Sequence, residues 1–125
     1  MMYKNVNYYS TKQDIENAKN KLNDAINSGD IENCTSQEFS YAILLVHNKD
    51  FRHIVDGIEI FKRLSNIPTC KRDAVYYIAL GYFRLKDVDN ALIFINHALD
   101  SEEENAQMLA LRREILILKD TRIYG

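Results

Sequence analysis

None of the residues able to do acid–base, nucleophilic or metal chemistry have the spacing those chemistries require. His47, His53 and His97 lack a His-x-x-x-His or Cys-x-x-Cys companion, so no helix face collects the ligands a metal ion needs. Cys34 and Cys70 lie 36 residues apart, too few to form a disulfide framework and consistent with a reducing compartment. No Gly-x-x-x-x-Gly-Lys or Gly-x-Gly-x-x-Gly run offers backbone N–H groups to a phosphate. Glu102, Glu103 and Glu104 fall where a helix is expected to start, and the positive end of a helix dipole favours carboxylates there without any catalysis. The sequence predicts no enzyme, no catalytic residue, no metal and no cofactor.

Composition narrows the alternatives. With 125 residues the chain fits one domain, and 46% apolar with 27% charged side chains is a globular balance, not a disordered one. One proline and four glycines are too few turn-formers for a many-stranded sandwich or barrel. Sixteen basic against 18 acidic side chains leave a net charge of −2, without the clustered cations that binding to a nucleic-acid backbone requires. The apolar run Tyr41 to Val46 is far short of the roughly 20 residues that span a bilayer, and residues 1–10 do not resemble a secretory signal.

Helical spacing recurs almost throughout. Ile15, Ala18, Leu22, Ala25 and Ile26 form one stripe, capped by Ser10 or Thr11 and ended at Ser28-Gly29-Asp30. Thr35 and Glu38 make a capping-box pattern for a second helix that runs through Val46 and is broken at Asn48-Lys49-Asp50. Ile54, Ile58, Phe61 and Leu64 mark a third, stopped before Pro68. A fourth follows Pro68 and Thr69 and runs to about Leu85. A fifth follows Asp87, with Val88, Ala91, Leu92, Ile95, Ala98 and Leu99 inward. Ser101 and Glu104 cap a sixth carrying Met108, Leu111, Ile115 and Leu118.

Self-comparison organises these helices. Gly57, Phe61 and Leu64 lie 34 residues before Ala91, Ile95 and Ala98, and Phe39, Tyr41, Ile43 and Val46 lie 36 before Val75, Tyr77, Ala79 and Tyr82. A two-helix period of 34 is that of the tetratricopeptide repeat. The unit from Arg72 to Asn105 fits it closely, with Ala79, Ala91 and Ala98 at the small positions. The first unit is degenerate, with Ile43 and Gly57 at two of them. Two such units leave both outer faces uncovered, so end helices must cap them. The expected fold is all-α: a six-helix bundle, right-handed in superhelical sense, with two central tetratricopeptide-like repeats and flanking capping helices. Residues 1–9 form an arm, 10–28 a capping helix, 35–66 the first repeat, 69–101 the second and 102–121 a C-terminal helix, all in one domain spanning 1–125.

In such a unit the second, fifth, ninth, twelfth and thirteenth positions of the first helix face a concave groove. These are Asp73, Tyr76, Leu80, Phe83 and Arg84 in the second unit, and Gln37, Ser40, Leu44, His47 and Asn48 in the first. Exposed Tyr76, Leu80 and Phe83 serve there as docking anchors, because Val75, Ile78, Ala79 and Tyr82 already supply the core stripe. Tyr3, Val6, Tyr8 and Tyr9, in a non-periodic stretch, can fold back into that groove and compete with a partner.

The segment Asp73 to Lys86 with Asp87 to Leu92, the Phe-x-Tyr-Ala core at Phe39–Ala42, and Gly57-Ile58 resemble the mitochondrial fission 1 family over roughly Thr35 to Asn105. The resemblance implies an adaptor tail-anchored in the mitochondrial outer membrane, often also in peroxisomes, and facing the cytosol. It also implies recruitment of a dynamin-related GTPase, directly or through fission adaptor proteins. The family's membrane anchor is expected to begin about where the chain stops at Gly125, so the chain reads as a soluble fragment. The alternative is a generic tetratricopeptide peptide-binding module of co-chaperone or import-receptor type. That class needs a basic carboxylate clamp, for which the groove offers only Arg84.

Overall fold

The computed structural model describes residues 8–124, with side chains described through Thr121. Every element among them is a helix: α1 (Lys12–Ser28), α2 (Ile31–Val46), α3 (Phe51–Leu64), α4 (Lys71–Arg84), α5 (Val88–Ser101) and α6 (Ala106–Tyr124). Each helix packs on the next in sequence, and α4 also touches α2 and α6. The result is two stacked hairpins, α2–α3 and α4–α5, with α1 and α6 as end caps.

Local chemistry sets the boundaries. Thr11 caps α1 in a reciprocal box with Asp14, and Gly29 ends that helix at φ 74°, a left-handed conformation that glycine adopts without a Cβ clash. Asp30, Asp50 and Asp87 cap α2, α3 and α5, each accepting a backbone N–H from the first turn. Helix α2 therefore starts four residues earlier than the Thr35 reading. Thr35 lies inside it and donates its hydroxyl to the Ile31 carbonyl, while Glu38 pairs with Arg63 of α3 at 2.8 and 2.5 Å. The start of α6 is also displaced. Ser101 still belongs to α5, and Asn105 accepts the Met108 N–H at 3.0 Å. The acidic triplet precedes the helix, with Glu102 bonded to Arg72 and Asn105, both at 2.8 Å.

The core follows the helical stripes. Ile54, Ile58, Phe61 and Leu64 of α3 and Val88, Ala91, Ile95 and Ala98 of α5 are buried, as are Met108, Leu111 and Ile115 of α6. In the first stripe Ile15, Ala18 and Ala25 are buried, Leu22 is half-buried and Ile26 is 55% exposed. At the centre the Phe61 and Tyr77 rings stack at 5.1 Å, and Phe39 meets both edge-on at 5.1 and 6.0 Å. These geometries complement the ring quadrupoles and tie α2, α3 and α4 together.

The degenerate glycine of the first repeat has a steric cause. A Cβ on Gly57 would lie 2.7 Å from Val46 Cγ1, 3.0 Å from Leu45 Cβ and 3.1 Å from the Val46 backbone nitrogen. The obstruction includes main chain, so α2 and α3 must part to admit a methyl group. Gly57→Ala gains about 1 kcal/mol of helix propensity, but overpacking of this kind costs about 1–3 kcal/mol. The expected outcome is a net loss of about 1 kcal/mol, read as a lower urea midpoint at unchanged slope.

Candidate functional site

The first helices of the two hairpins, α2 and α4, run parallel and carry the groove positions. Among the described residues, several openings lie along them. Gln37, Ser40 and Leu44 of α2 face Asp14, Asn17, Ala18 and Lys21 of α1 across a cavity of 310 Å³. Ser40 is also shared with a second cavity of 280 Å³. That cavity has Thr35, Ser36, Phe39 and Ile43 on the α2 side and Thr69, Cys70 and Asp73 on the α4 side. At the opposite end of the same helices, Asn48, Lys49 and Ile54 meet Phe83, Arg84 and Lys86 across Tyr9, enclosing 390 Å³.

Gln37, Ser40, Leu44, Asn48, Asp73, Phe83 and Arg84 therefore border open space. Tyr76, Leu80 and His47 do not border it, which corrects the expectation of exposed anchors. Leu80 and His47 are 0% exposed and Tyr76 is 2% exposed. The reason lies in the position of α4. Helices α2, α3, α5 and α6 all contact it, so every side chain from Ala74 to Leu80 is enclosed and no face is left over. The Tyr76 ring packs edge-on against Tyr77 at 5.2 Å, and burial pushes its phenol up to about 12. His47 caps the C-terminal end of α2. Its Nδ1 lies 2.8 Å from the Ile43 carbonyl, which assigns a proton to that nitrogen. A charge placed at Leu80 would unfold the chain, so Leu80 cannot report on docking. Phe83 is only partly buried and can.

Residues 8–10 form a strap across the C-terminal ends of α2 and α4; Tyr3 and Val6 lie outside the described residues. Ser10 donates its N–H to the His47 carbonyl at 3.1 Å and its hydroxyl to the Leu44 carbonyl at 2.6 Å, and the Asn48 amide donates back to the Ser10 carbonyl at 3.1 Å. Tyr8 sets its ring against His47 at 5.4 Å and points its hydroxyl at Asp14, 3.3 Å away. Burial, then the Asp14 charge, raises the Tyr8 phenol above its ordinary range. Tyr9 lies beneath the Arg84 guanidinium at 4.5 Å and the Lys49 ammonium at 5.1 Å. Arg84 also reaches the carbonyls of Tyr8, His47 and Asn48, each at 3.4 Å, and burial lowers its pKa.

The groove pattern missed Thr35, Ser36, Phe39, Ile43 and Cys70, which neighbour the groove positions on α2 and α4. It also missed Lys49 and Lys86, which lie in the turns and carry a sequence signal: each directly precedes a capping aspartate. Among the described residues no group of three His, Cys, Asp or Glu side chains can hold a metal ion, and no helix is long and apolar enough to cross a membrane.

Two stacked helix hairpins with end caps and clefts between their first helices define a tetratricopeptide-like binding domain. Residues 72–116 match the family model of the Fis1 C-terminal tetratricopeptide repeat. The mitochondrial fission 1 protein of Mus musculus is 31% identical over 105 residues, covering 82% of this chain and 68% of that protein. The Debaryomyces hansenii protein is 30% identical over 95 residues, covering 75% of this chain and 62% of the relative. The match thus spans about two thirds of these relatives' length. The crystal structure of fission protein Fis1 from Saccharomyces cerevisiae superposes with a TM-score of 0.78 at 20% identity, covering 95% of this chain and 92% of that one. Yeast Fis1 in complex with an Mdv1 fragment gives the same TM-score over 93% and 91%. The chain belongs to the mitochondrial fission 1 protein family.

The raised Tyr76 phenol has a consequence for stability. A folded value of about 12 against about 10 unfolded means the contribution is complete below pH 10 and is lost as pH climbs through 12. Tyr76→Phe removes this loss. Urea midpoints measured across that window are expected to fall more steeply for the native chain than for Tyr76→Phe.

Proposed function

We propose that the chain is a non-enzymatic adaptor domain of mitochondrial fission, working at the outer membrane on its cytosolic side and, by the same chemistry, at peroxisomes. It engages a fission adaptor protein, and through it or directly a dynamin-related GTPase, along the clefts between α1, α2 and α4. The observation that carries this reading is the pair of cavities meeting at exposed Ser40, floored by half-buried Phe39, Ile43 and Leu44. Covering such apolar side chains contributes up to about 1.5–3 kcal/mol each. A yeast relative crystallised with an Mdv1 fragment supports the partner class. Arg84 is turned to backbone carbonyls and the Tyr9 ring, which gives no support to the carboxylate-clamp alternative.

The N-terminal arm is an autoinhibitory element in this proposal. Its described part, with Tyr8 and Tyr9, lies at the C-terminal ends of α2 and α4, so removing residues 1–9 should tighten partner binding.

Ser40→Arg fills both cavities from an exposed position. It is expected to weaken binding of a purified fission adaptor about tenfold, or 1.4 kcal/mol, by calorimetry, with the helical circular dichroism unchanged. Pull-down of a purified dynamin-related GTPase by the native chain, with and without the fission adaptor, separates direct from indirect recruitment. Unaltered affinity in Ser40→Arg would remove these clefts from the docking surface.

A further inference from the structure

The two end caps differ on their outer faces. A helix that closes a stack of repeats needs polar side chains toward water. Helix α1 meets that need, since every exposed residue on it except Ile26 is polar or charged. Helix α6 does not. Met108, Leu111 and Ile115 fill its inner stripe, yet the opposite side carries Ala106, Leu109, Ala110 and Ile117, all exposed, Leu109 by 40% and Ile117 by 52%. Among the described residues α6 packs on α5 and α4 alone. A helix apolar on both sides is the pattern of one covered on both sides.

Charge order along this face selects what covers it. Ala106, Ala110, Arg113, Ile117 and Asp120 are spaced four, three, four and three residues, the repeat that keeps two helices in contact along their length. At 3.6 residues per turn they stay within about 80° of arc. Arg112 is engaged with Asn96 of α5 at 2.8 Å. Arg113 and Asp120 are exposed, and neither has an ion-pair partner among the described residues. They flank Ile117, about 10 Å apart along the axis. Laid parallel, two copies of α6 would set Arg113 on Arg113 and Asp120 on Asp120, and like charges repel. Laid antiparallel about Ile117, each Arg113 meets the other copy's Asp120.

We propose that this face binds a second copy of the chain, through an antiparallel pair of α6 helices with the two-fold axis beside Ile117. Ile117 packs on its own counterpart at the axis, and two Arg113–Asp120 pairs flank it. Leu109 and Ala110 extend the contact to the last turn of the other copy's helix. The two C-terminal ends run in opposite directions, so the pairing joins copies that face each other rather than neighbours on one surface. A single helix seam about 20 Å long buries less than the roughly 800 Å² per partner of a standard interface, so the dimer is weak and concentration-dependent. The face lies at the end cap opposite α1 and stands apart from Ser40, so it does not depend on partner docking.

Sedimentation equilibrium over a rising concentration series is expected to show a reversible monomer–dimer equilibrium. Arg113→Asp alone and Asp120→Arg alone each set like charges together and should weaken the dimer about tenfold. The two exchanges in one chain restore opposite charges and should bring the dissociation constant back to within about threefold of native. An equimolar mixture of the two single variants should pair as a heterodimer for the same reason. Lys19→Asp, on the polar outer face of α1, should change dimerisation less than about twofold. All these positions are exposed, so the helical circular dichroism and urea midpoints should stay near native and report any variant that fails to fold. A monomer throughout the series, single exchanges without effect, or a double exchange that restores nothing would overturn the proposal.

Discussion

Enclosure of α4 is the constraint on which the rest of the molecule depends. From Ala74 to Gly81 every residue is buried, an arrangement open only to a helix with neighbours on all sides. Helices α3 and α5 cover it as hairpin partners, and α2 and α6 close the remaining flanks. Small residues make such crowding feasible: Ala74, Ala79 and Gly81 of α4 and Gly57 of α3 let backbones approach where a larger side chain would hold them apart. The aromatic set of Phe39, Phe61, Tyr76 and Tyr77 fills the space between those contacts.

With α4 sealed, open space is left to the seams. Open space survives where α2 borders α1, where the N-terminal halves of α2 and α4 diverge, and where the two inter-helix turns meet the strap. Each opening has its own chemistry: mixed polar, apolar-floored and cationic. The strap is held mainly by carbonyls at helix C-terminal ends, where unsatisfied acceptors are available to any donor that can reach them. Ser10 is such a donor, to the Leu44 and His47 carbonyls, while Asn48 and Arg84 donate in turn to the strap's own Ser10 and Tyr8 carbonyls.

Much of the architecture was legible from spacing. Helix count, hairpin pairing and the inward faces of α3, α5 and α6 follow from periodicity and from the 34-residue offset, because core stripes leave a strong regular signal. Helix starts were less legible. Thr35 with Glu38, and Ser101 with Glu104, have the composition of a capping box, yet Asp30 and Asn105 take the role and Glu38 goes to Arg63 across a hairpin. Competition between equivalent local patterns is settled by tertiary pairing, which one strand of sequence does not display. The groove shows the same limit more sharply. Repeat positions placed Ser40, Asp73 and Phe83 at open surfaces, but equally placed Tyr76, Leu80 and His47, whose burial depends on how far neighbouring helices close over them.

Ser40 has a place of its own among these surfaces, because it borders two openings at once. It is the party wall between adjoining rooms, and its small hydroxyl keeps that wall thin. An occupant on one side alters the space available on the other, and linkage requires that the influence run equally in both directions. Two segments of a single partner, or two separate ones, would thus feel each other through one side chain, giving a domain of this modest size a means of cooperation without any shift in its helices.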